Sequence, residues 1–108
     1  MIGQLQATAL QQWLEDKARG APLILDVREP WEFDTCHIPG ARSIPMQEIP
    51  ARLNELPEKT AVVVVCHHGA RSMQVANYLA QAGRADVYNL SGGVAAWADH
   101  VDPAMPRY

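Results

Sequence analysis

The sequence predicts an α/β fold, a small three-layer domain in which a mostly parallel sheet of about five strands has helices on both faces. Apolar runs of strand length alternate along the chain with stretches of helical spacing. The strongest run, AVVVVC at 61–66, is continuously apolar, which is typical of a parallel strand buried on both faces. The 108 residues fit a single domain over 1–108.

The first half of the chain contains two predicted strands and three predicted helical segments. Thr8 and Gln11 have the spacing of a capping box and predict a helix that ends at Gly20. The run LILDV predicts a strand that reaches Asp26, and Pro30 suits the first position of a short helix. We then expect a short strand in RSIP and a helix in QEIPARLNEL, whose apolar residues have helical spacing.

The second half repeats the alternation. After AVVVVC, the segment SMQVANYLAQAG predicts a helix that ends at Gly83; DVYNL predicts a strand and GGVAAWADH a short helix. Ligands of open α/β sheets bind beyond the carboxyl ends of the strands. Three strand ends are therefore candidate sites: Asp26 to Arg28, the loop from Cys66, and the turn at 91–93.

Charge and composition exclude several function classes. The formal net charge of -3 argues against a broad nucleic-acid surface. No early positive charge marks a targeting signal, and no apolar run approaches the ~20 residues of a membrane helix. Two cysteines are too few for a disulfide scaffold. We therefore expect a soluble cytoplasmic protein with free thiols, without a nucleic-acid or membrane partner.

Cys66 lies one step beyond the valines, in a turn that favours negative charge. Gly69 permits a positive φ there, and successive backbone amides of such a turn can form an anion nest. A helix beginning near Arg71 or Ser72 adds the positive end of its dipole, and Arg71 adds a permanent charge. Such surroundings favour a nucleophilic thiolate. The residues expected to bind an anion and to stabilise charge on sulfur are His67, His68, Gly69, Ala70 and Arg71.

Alternatives remain open for this loop at the level of residues alone. A cysteine followed by glycine and arginine also occurs by chance in a tight strand–helix connection. A zinc site is the second alternative, although its donors lack the usual ligand spacing; they would be Cys36, His37, Cys66, His67 and His68. Cysteine-dependent phosphatases are the third, but they place five residues between cysteine and arginine, whereas four separate Cys66 from Arg71. The tighter loop suits one extra sulfur atom better than a phosphate.

Four stretches of the chain, in order, resemble signatures of the rhodanese family of sulfurtransferases: LILDVREPWEF, HIPGARSIP, CHHGARS and LSGGVAAW. The resemblance covers nearly all of the chain and is closest to single-domain rhodaneses. It implies transfer of a sulfane sulfur from an anionic donor such as thiosulfate to cyanide or a thiol. Cys66 takes the position of the sulfur-accepting cysteine. We expect no metal and no organic cofactor to be needed.

Other residues receive weaker assignments. Asp26 and Arg28, at a neighbouring strand end, are expected to form a structural ion pair rather than to do chemistry. His67 and His68 either transfer protons or make the rim of the site positive. Cys36 stands where the family usually has glycine, and we expect it to fill a turn position; the alternative is a second thiol that resolves a persulfide. A protein-to-protein sulfur relay and a non-catalytic persulfide-binding module are the alternative functions.

Overall fold

Five strands form one sheet in the computed structural model of the protein, which describes residues 2–108. The strands are β1 (Ile2–Leu5), β2 (Leu23–Asp26), β3 (Arg42–Ser43), β4 (Val62–Val65) and β5 (Val87–Leu90). Their order across the sheet is β1-β5-β4-β2-β3, and every neighbouring pair is parallel. The predicted α/β fold with a parallel sheet is confirmed.

Helices connect the strands and cover the sheet. They are α1 (Ala7–Glu15), α2 (Pro30–Thr35), α3 (Ala70–Gln81) and α4 (Gly93–His100), with 3-10 turns at Met46–Glu48 and Pro50–Glu55. Within residues 2–108, the helices are too short or too polar to cross a bilayer.

The central strand β4 divides the core into two apolar clusters. Val63 and Val65 contribute to the cluster that contains Trp13 of α1 and Trp97 of α4. Val62 and Val64 contribute to the cluster on the other face, where the side chains of α3 and the 3-10 turns pack. All four valines are buried, because a strand with helices on both faces exposes neither side to water. The three predicted layers are thus present.

The beginning of α1 differs from the prediction. The helix begins at Ala7 after an N-cap at Gln6 that makes no side-chain cap hydrogen bond, so Thr8 is not the capping residue. It ends at Glu15 rather than at Gly20. The Asp16 carboxylate accepts a hydrogen bond from the Ala18 amide, at 3.0 Å. Aspartate readily forms such local turns, which compete with the helix.

Two further elements differ from the sequence prediction. The sequence prediction does not contain the edge strand β1, because IGQL has too few apolar residues to form a recognisable strand pattern. Parallel pairing with β5 holds this segment in the strand conformation. The segment 47–56 forms 3-10 turns instead of an α-helix. Pro50 has no amide hydrogen to continue a helix from the preceding turn.

Three strand ends meet at one edge of the sheet. β4 lies between β2 and β5, so the loop from Cys66 is flanked by Asp26 at the end of β2 and by the turn after Leu90. The sequence predicts these three ends as candidate sites, and the topology makes them neighbours.

Candidate active site

The loop after β4 wraps around the Cys66 sulfur. Gly69 has a φ of 108° and forms the N-cap of α3, and the helix begins at Ala70, one to two residues before its predicted start. Its amide donates a hydrogen bond to Cys66 Sγ at 3.0 Å. Cys66 is only 1% exposed, so the sulfur is enclosed by its own loop. A backbone donor and a helix N-terminus therefore converge on this atom.

The turn before α4 supports the loop from outside. The amide of Val94 donates to the Cys66 carbonyl at 2.9 Å, and the amide of Ala95 donates to the His67 carbonyl at 3.1 Å. Gly93 has a positive φ of 59°, and a Cβ there would collide with both carbonyl oxygens. The first two peptide groups of the loop are therefore held in fixed orientations.

Arg71 forms a two-pronged ion pair with Glu32 of α2. Its Nη1 lies 2.7 Å from Oε1 and its Nη2 lies 2.9 Å from Oε2. The hydrogen bond to Glu32 is the main cause that raises the pKa of Arg71, and the charge of Cys66 adds to it. The predicted permanent cation thus lies near enough to Cys66 for the two groups to interact electrostatically, but its guanidinium is already paired with Glu32. Sequence reasoning misses Glu32, because 39 residues separate the partners.

Glu32 is a buried carboxylate with several donors. Besides Arg71, the Glu29 amide donates to Oε1 at 3.0 Å and the Tyr108 hydroxyl donates to Oε2 at 2.7 Å. The Arg71 hydrogen bond, more than any other contact, lowers the pKa of Glu32 to about 2. Burial is the main cause that raises the pKa of Tyr108 to about 12. Glu32 is consequently ionised and Tyr108 neutral near pH 7.

Asp26 and Arg28 form the expected ion pair, with Arg28 Nη2 2.6 Å from Asp26 Oδ2 and both side chains buried. Arg28 also donates to the Cys36 carbonyl at 2.7 Å and to the Tyr108 hydroxyl at 2.8 Å. These bonds join the end of β2 to α2 and to the C-terminal segment. The Asp26–Arg28 pair therefore stabilises the segments that surround the loop.

The two loop histidines stack on each other with ring centroids 4.0 Å apart, and Tyr108 stacks on His67 at 4.2 Å. Burial, followed by the charge of His68, lowers the pKa of His67. His67 is therefore disfavoured as a cation near neutral pH, which weighs against the hypothesis that it makes the rim positive.

Cys36 is buried at the C-terminal end of α2, and both cysteines are free thiols. Together with His67, His68 and Tyr108 it lines a cavity of about 210 Å³. The Arg28 Nη1 atom lies 4.0 Å from its sulfur. Cys36 is the C-cap residue of α2 and lies beside the loop, and its expected structural role stays a prediction.

Three polar residues near the sulfur escape sequence reasoning. The Ser72 hydroxyl lies 3.3 Å from Cys66 Sγ and donates to Asn89 Oδ1, and Asn89 in turn donates to Gln4. Asn89 could have been found from the sequence, because a polar residue within the predicted strand DVYNL indicates a buried hydrogen bond; the structure buries it. Gln4 carries none, because it belongs to the unpredicted strand β1. Across residues 2–108, the His, Cys, Asp and Glu side chains form no cluster of three or more placed to hold a metal ion.

Comparisons with known proteins agree with this geometry. The family model for the rhodanese-like domain matches residues 6–100. This chain belongs to the rhodanese-like family. A sulfurtransferase of Allochromatium vinosum is 41% identical over 105 residues, 97% of this chain and 96% of that protein. The rhodanese-like domain protein of Staphylococcus aureus has a TM-score of 0.83 at 33% identity, covering 93% of this chain and 95% of that one.

Other rhodanese-like relatives differ in function and length. The thiosulfate sulfurtransferase GlpE of Tolumonas auensis is 36% identical over 80 residues, 74% of each protein. The putative sulfur carrier protein YrkF of Bacillus subtilis is 40% identical over 74 residues, 68% of this chain and 40% of that protein. Among longer relatives, the chain spans 30% of one and 25% of another. The relatives of this chain therefore include proteins named as sulfurtransferases and one named as a putative sulfur carrier.

Proposed function

We propose that this protein is a sulfurtransferase that carries a sulfane sulfur as a persulfide on Cys66. The observation that carries the proposal is the enclosed Cys66 sulfur, which accepts the Gly69 amide at 3.0 Å at the N-terminus of α3. A donor amide and a helix dipole stabilise a thiolate on that atom, and the same positive environment favours negative charge on the outer sulfur of a persulfide bonded to it. Thiosulfate is the proposed donor, and cyanide or a thiol the proposed acceptor.

The first half-reaction loads the cysteine. The Cys66 thiolate attacks the outer sulfur of thiosulfate, a new S–S bond forms, and the old S–S bond breaks with its electron pair leaving on sulfite. The narrow access to Cys66, which is 1% exposed, favours a donor whose reacting sulfur is a terminal atom. Arg71 is the proposed binding residue for the anionic donor, with the amides of the loop at His67, His68 and Ala70.

The second half-reaction returns the enzyme to its starting state. Cyanide carbon attacks the outer sulfur, a C–S bond forms, and the S–S bond to Cys66 breaks to give thiocyanate and the thiolate. The protein supplies the electron pair and recovers it, so the cycle balances without a metal or an organic cofactor. Two substrates that react in turn on one residue predict ping-pong kinetics.

The test is mass spectrometry of protein incubated with thiosulfate. We expect the mass of one sulfur atom to be gained on the peptide that contains Cys66, and cyanide to remove it as thiocyanate. The variant Cys66→Ser should show neither the mass gain nor turnover, because an alcohol forms no persulfide. The variant Cys36→Ser is the matched control and should load normally. Sulfur located on Cys36, or turnover by Cys66→Ser, would contradict the proposal.

A protein-to-protein sulfur relay is the second candidate, favoured by the identity with the Bacillus subtilis sulfur carrier. Here the donor and acceptor are cysteines of partner proteins. Persulfidated partner protein should then load Cys66 faster than thiosulfate does at equal concentration. A chain that binds sulfur but turns over no acceptor is a non-catalytic persulfide-binding module.

A further inference from the structure

A line of polar side chains runs from the buried Cys66 sulfur to the surface of the sheet. Ser72 Oγ lies 3.3 Å from Cys66 Sγ and donates to Asn89 Oδ1 at 2.5 Å. Asn89 Nδ2 donates to Gln4 Oε1 at 3.2 Å, and the Ser91 hydroxyl donates to the same oxygen at 3.0 Å. Ser72 and Asn89 are buried, whereas Gln4 is exposed. We call these three side chains the Gln4–Asn89–Ser72 relay.

The Ser72 hydroxyl hydrogen decides which atom donates in the contact between Ser72 and Cys66. Ser72 has one hydroxyl hydrogen, and it is directed to Asn89 Oδ1. Either atom of the Cys66–Ser72 contact could donate; while the Ser72 hydrogen is directed to Asn89, the Ser72 oxygen accepts and the thiol hydrogen is the donor. The Gly69 amide also donates to the sulfur, which suits either charge state. The arrangement in the structure fits a neutral Cys66 thiol.

A second arrangement of the same atoms fits an anion. A thiolate has no hydrogen to give, so the sulfur keeps its hydrogen bond with Ser72 only when the Ser72 hydroxyl turns and donates to it. Asn89 Oδ1 then loses its donor, and a buried acceptor without a partner is unfavourable. Rotation of the Asn89 amide presents Nδ2 to the Ser72 oxygen instead, and rotation of the exposed Gln4 amide presents a donor to Asn89.

We propose that Asn89 is a positioning residue that selects, through the Ser72 hydroxyl, between the thiol and the anionic forms of Cys66. The Asn89 amide has both a donor and an acceptor, so the buried Ser72 and Asn89 side chains can keep a hydrogen-bond partner in two settings, one for each form. This inference rests on the proposed function for its purpose, since a sulfur-accepting cysteine must change between these forms. Asn89 acts on Cys66 only through Ser72, and we do not propose that Asn89 contacts the substrate.

The test measures the pH at which alkylation of Cys66 by iodoacetamide is half-maximal, with the site identified on its peptide by mass spectrometry. Asn89→Asp keeps an acceptor for Ser72 and adds negative charge, so the midpoint should rise by about one pH unit. Asn89→Leu removes the acceptor and frees the Ser72 hydrogen for the sulfur, so the midpoint should fall. The charged and titratable groups around the sulfur stay unchanged in Asn89→Leu; they are Glu32, His67, His68, Arg71 and Tyr108.

Opposite shifts separate this role from a structural one, because a loosened loop would move both Asn89 variants in the same direction. Shifts of the same sign would overturn the proposal. Gln4→Glu provides a second test at an exposed position that leaves the buried core intact. A carboxylate there can only accept, which holds Asn89 in its thiol setting and should raise the midpoint.

The control for added charge is Gln6→Glu, at another exposed position outside the relay. A Gln4→Glu midpoint equal to that of Gln6→Glu would also overturn the proposal. If the Asn89 variants fail to fold, this comparison alone tests the proposal. Alkylation needs no sulfur donor. Protein that takes up no sulfur but shows the opposite Asn89 shifts would refute the proposed function and support the relay; normal sulfur uptake without those shifts would do the reverse.

Discussion

Replacement of Glu32 by Gln should destabilise the protein in a pH-dependent way. Glu32 is 4% exposed and holds the Arg71 guanidinium through two hydrogen bonds of 2.7 and 2.9 Å. Glutamine keeps the shape of the side chain but removes the negative charge and one acceptor. The Arg71 guanidinium is then left beside a neutral amide whose nitrogen cannot accept its hydrogen bonds.

The pKa of Glu32 gives the size of the effect. Lowering of this pKa from 4.5 to about 2 corresponds to roughly 3 kcal/mol of stability. Because the Arg71 side chain is 35% exposed and can regain water, we expect Glu32→Gln to lower the free energy of unfolding by about 2 kcal/mol. A carboxyl group whose pKa is lower in the folded state than in the unfolded state stabilises the folded protein at pH values above its unfolded-state pKa. This contribution is lost as the pH falls from about 4.5 towards about 2.

Urea unfolding followed by tryptophan fluorescence measures this difference at several pH values. The parent should be the more stable protein near neutral pH, and its advantage over Glu32→Gln should shrink steadily on acidification. Glu55→Gln is the control, because Glu55 also pairs with arginines but is exposed, so its loss should have little effect. Equal losses in the two variants, or a Glu32→Gln difference independent of pH, would refute the reasoning.

Substitutions at three further positions test the loop and its surroundings. Arg71→Ala should raise the KM for thiosulfate, and Arg71→Lys should restore it only in part because lysine lacks the planar fork; an unchanged KM in the alanine variant would show that the backbone amides suffice. Cys36→Ser should keep thiosulfate turnover within a few-fold of the parent, whereas a collapse of turnover in folded protein would make Cys36 a resolving thiol. Gly93→Ala should lower both Tm and turnover, since its Cβ meets the carbonyls of Cys66 and His67; an unchanged Tm in thermal unfolding would contradict this.

Much of the fold can be predicted because local patterns and burial agree. The valines of β4 are apolar at every position, and the structure buries them on both faces. The strand β1 could not be predicted in the same way, since its order comes from pairing with β5, more than 80 positions away in sequence. The segment after Pro45 has helical spacing, but Pro50 lies within it and the segment forms 3-10 turns.

The residues of the candidate site also fall into those that local sequence predicts and those that only contacts between distant segments reveal. Cys66, Gly69 and Arg71 lie within one strand–turn–helix connection, so their spacing alone predicts the loop. Glu32 and Tyr108 come from distant parts of the chain, and only the folded structure shows that they bond to each other and surround that loop. Sequence reasoning thus finds residues that act within one turn and misses those that hold the turn in place.

The support of the loop by the turn before α4 also restricts how this scaffold can change its chemistry. The amides of Val94 and Ala95 bind the first two carbonyls of the loop, and a Cβ at Gly69 near its end would lie 3.3 Å from the Gly92 amide nitrogen. An inserted residue, such as the longer loop of a cysteine-dependent phosphatase requires, would break this match at one end or the other. Evolution of a phosphate-binding loop here would therefore need paired changes in two segments that are some 25 positions apart. For this reason, single mutations do not readily convert the present short loop into the longer one.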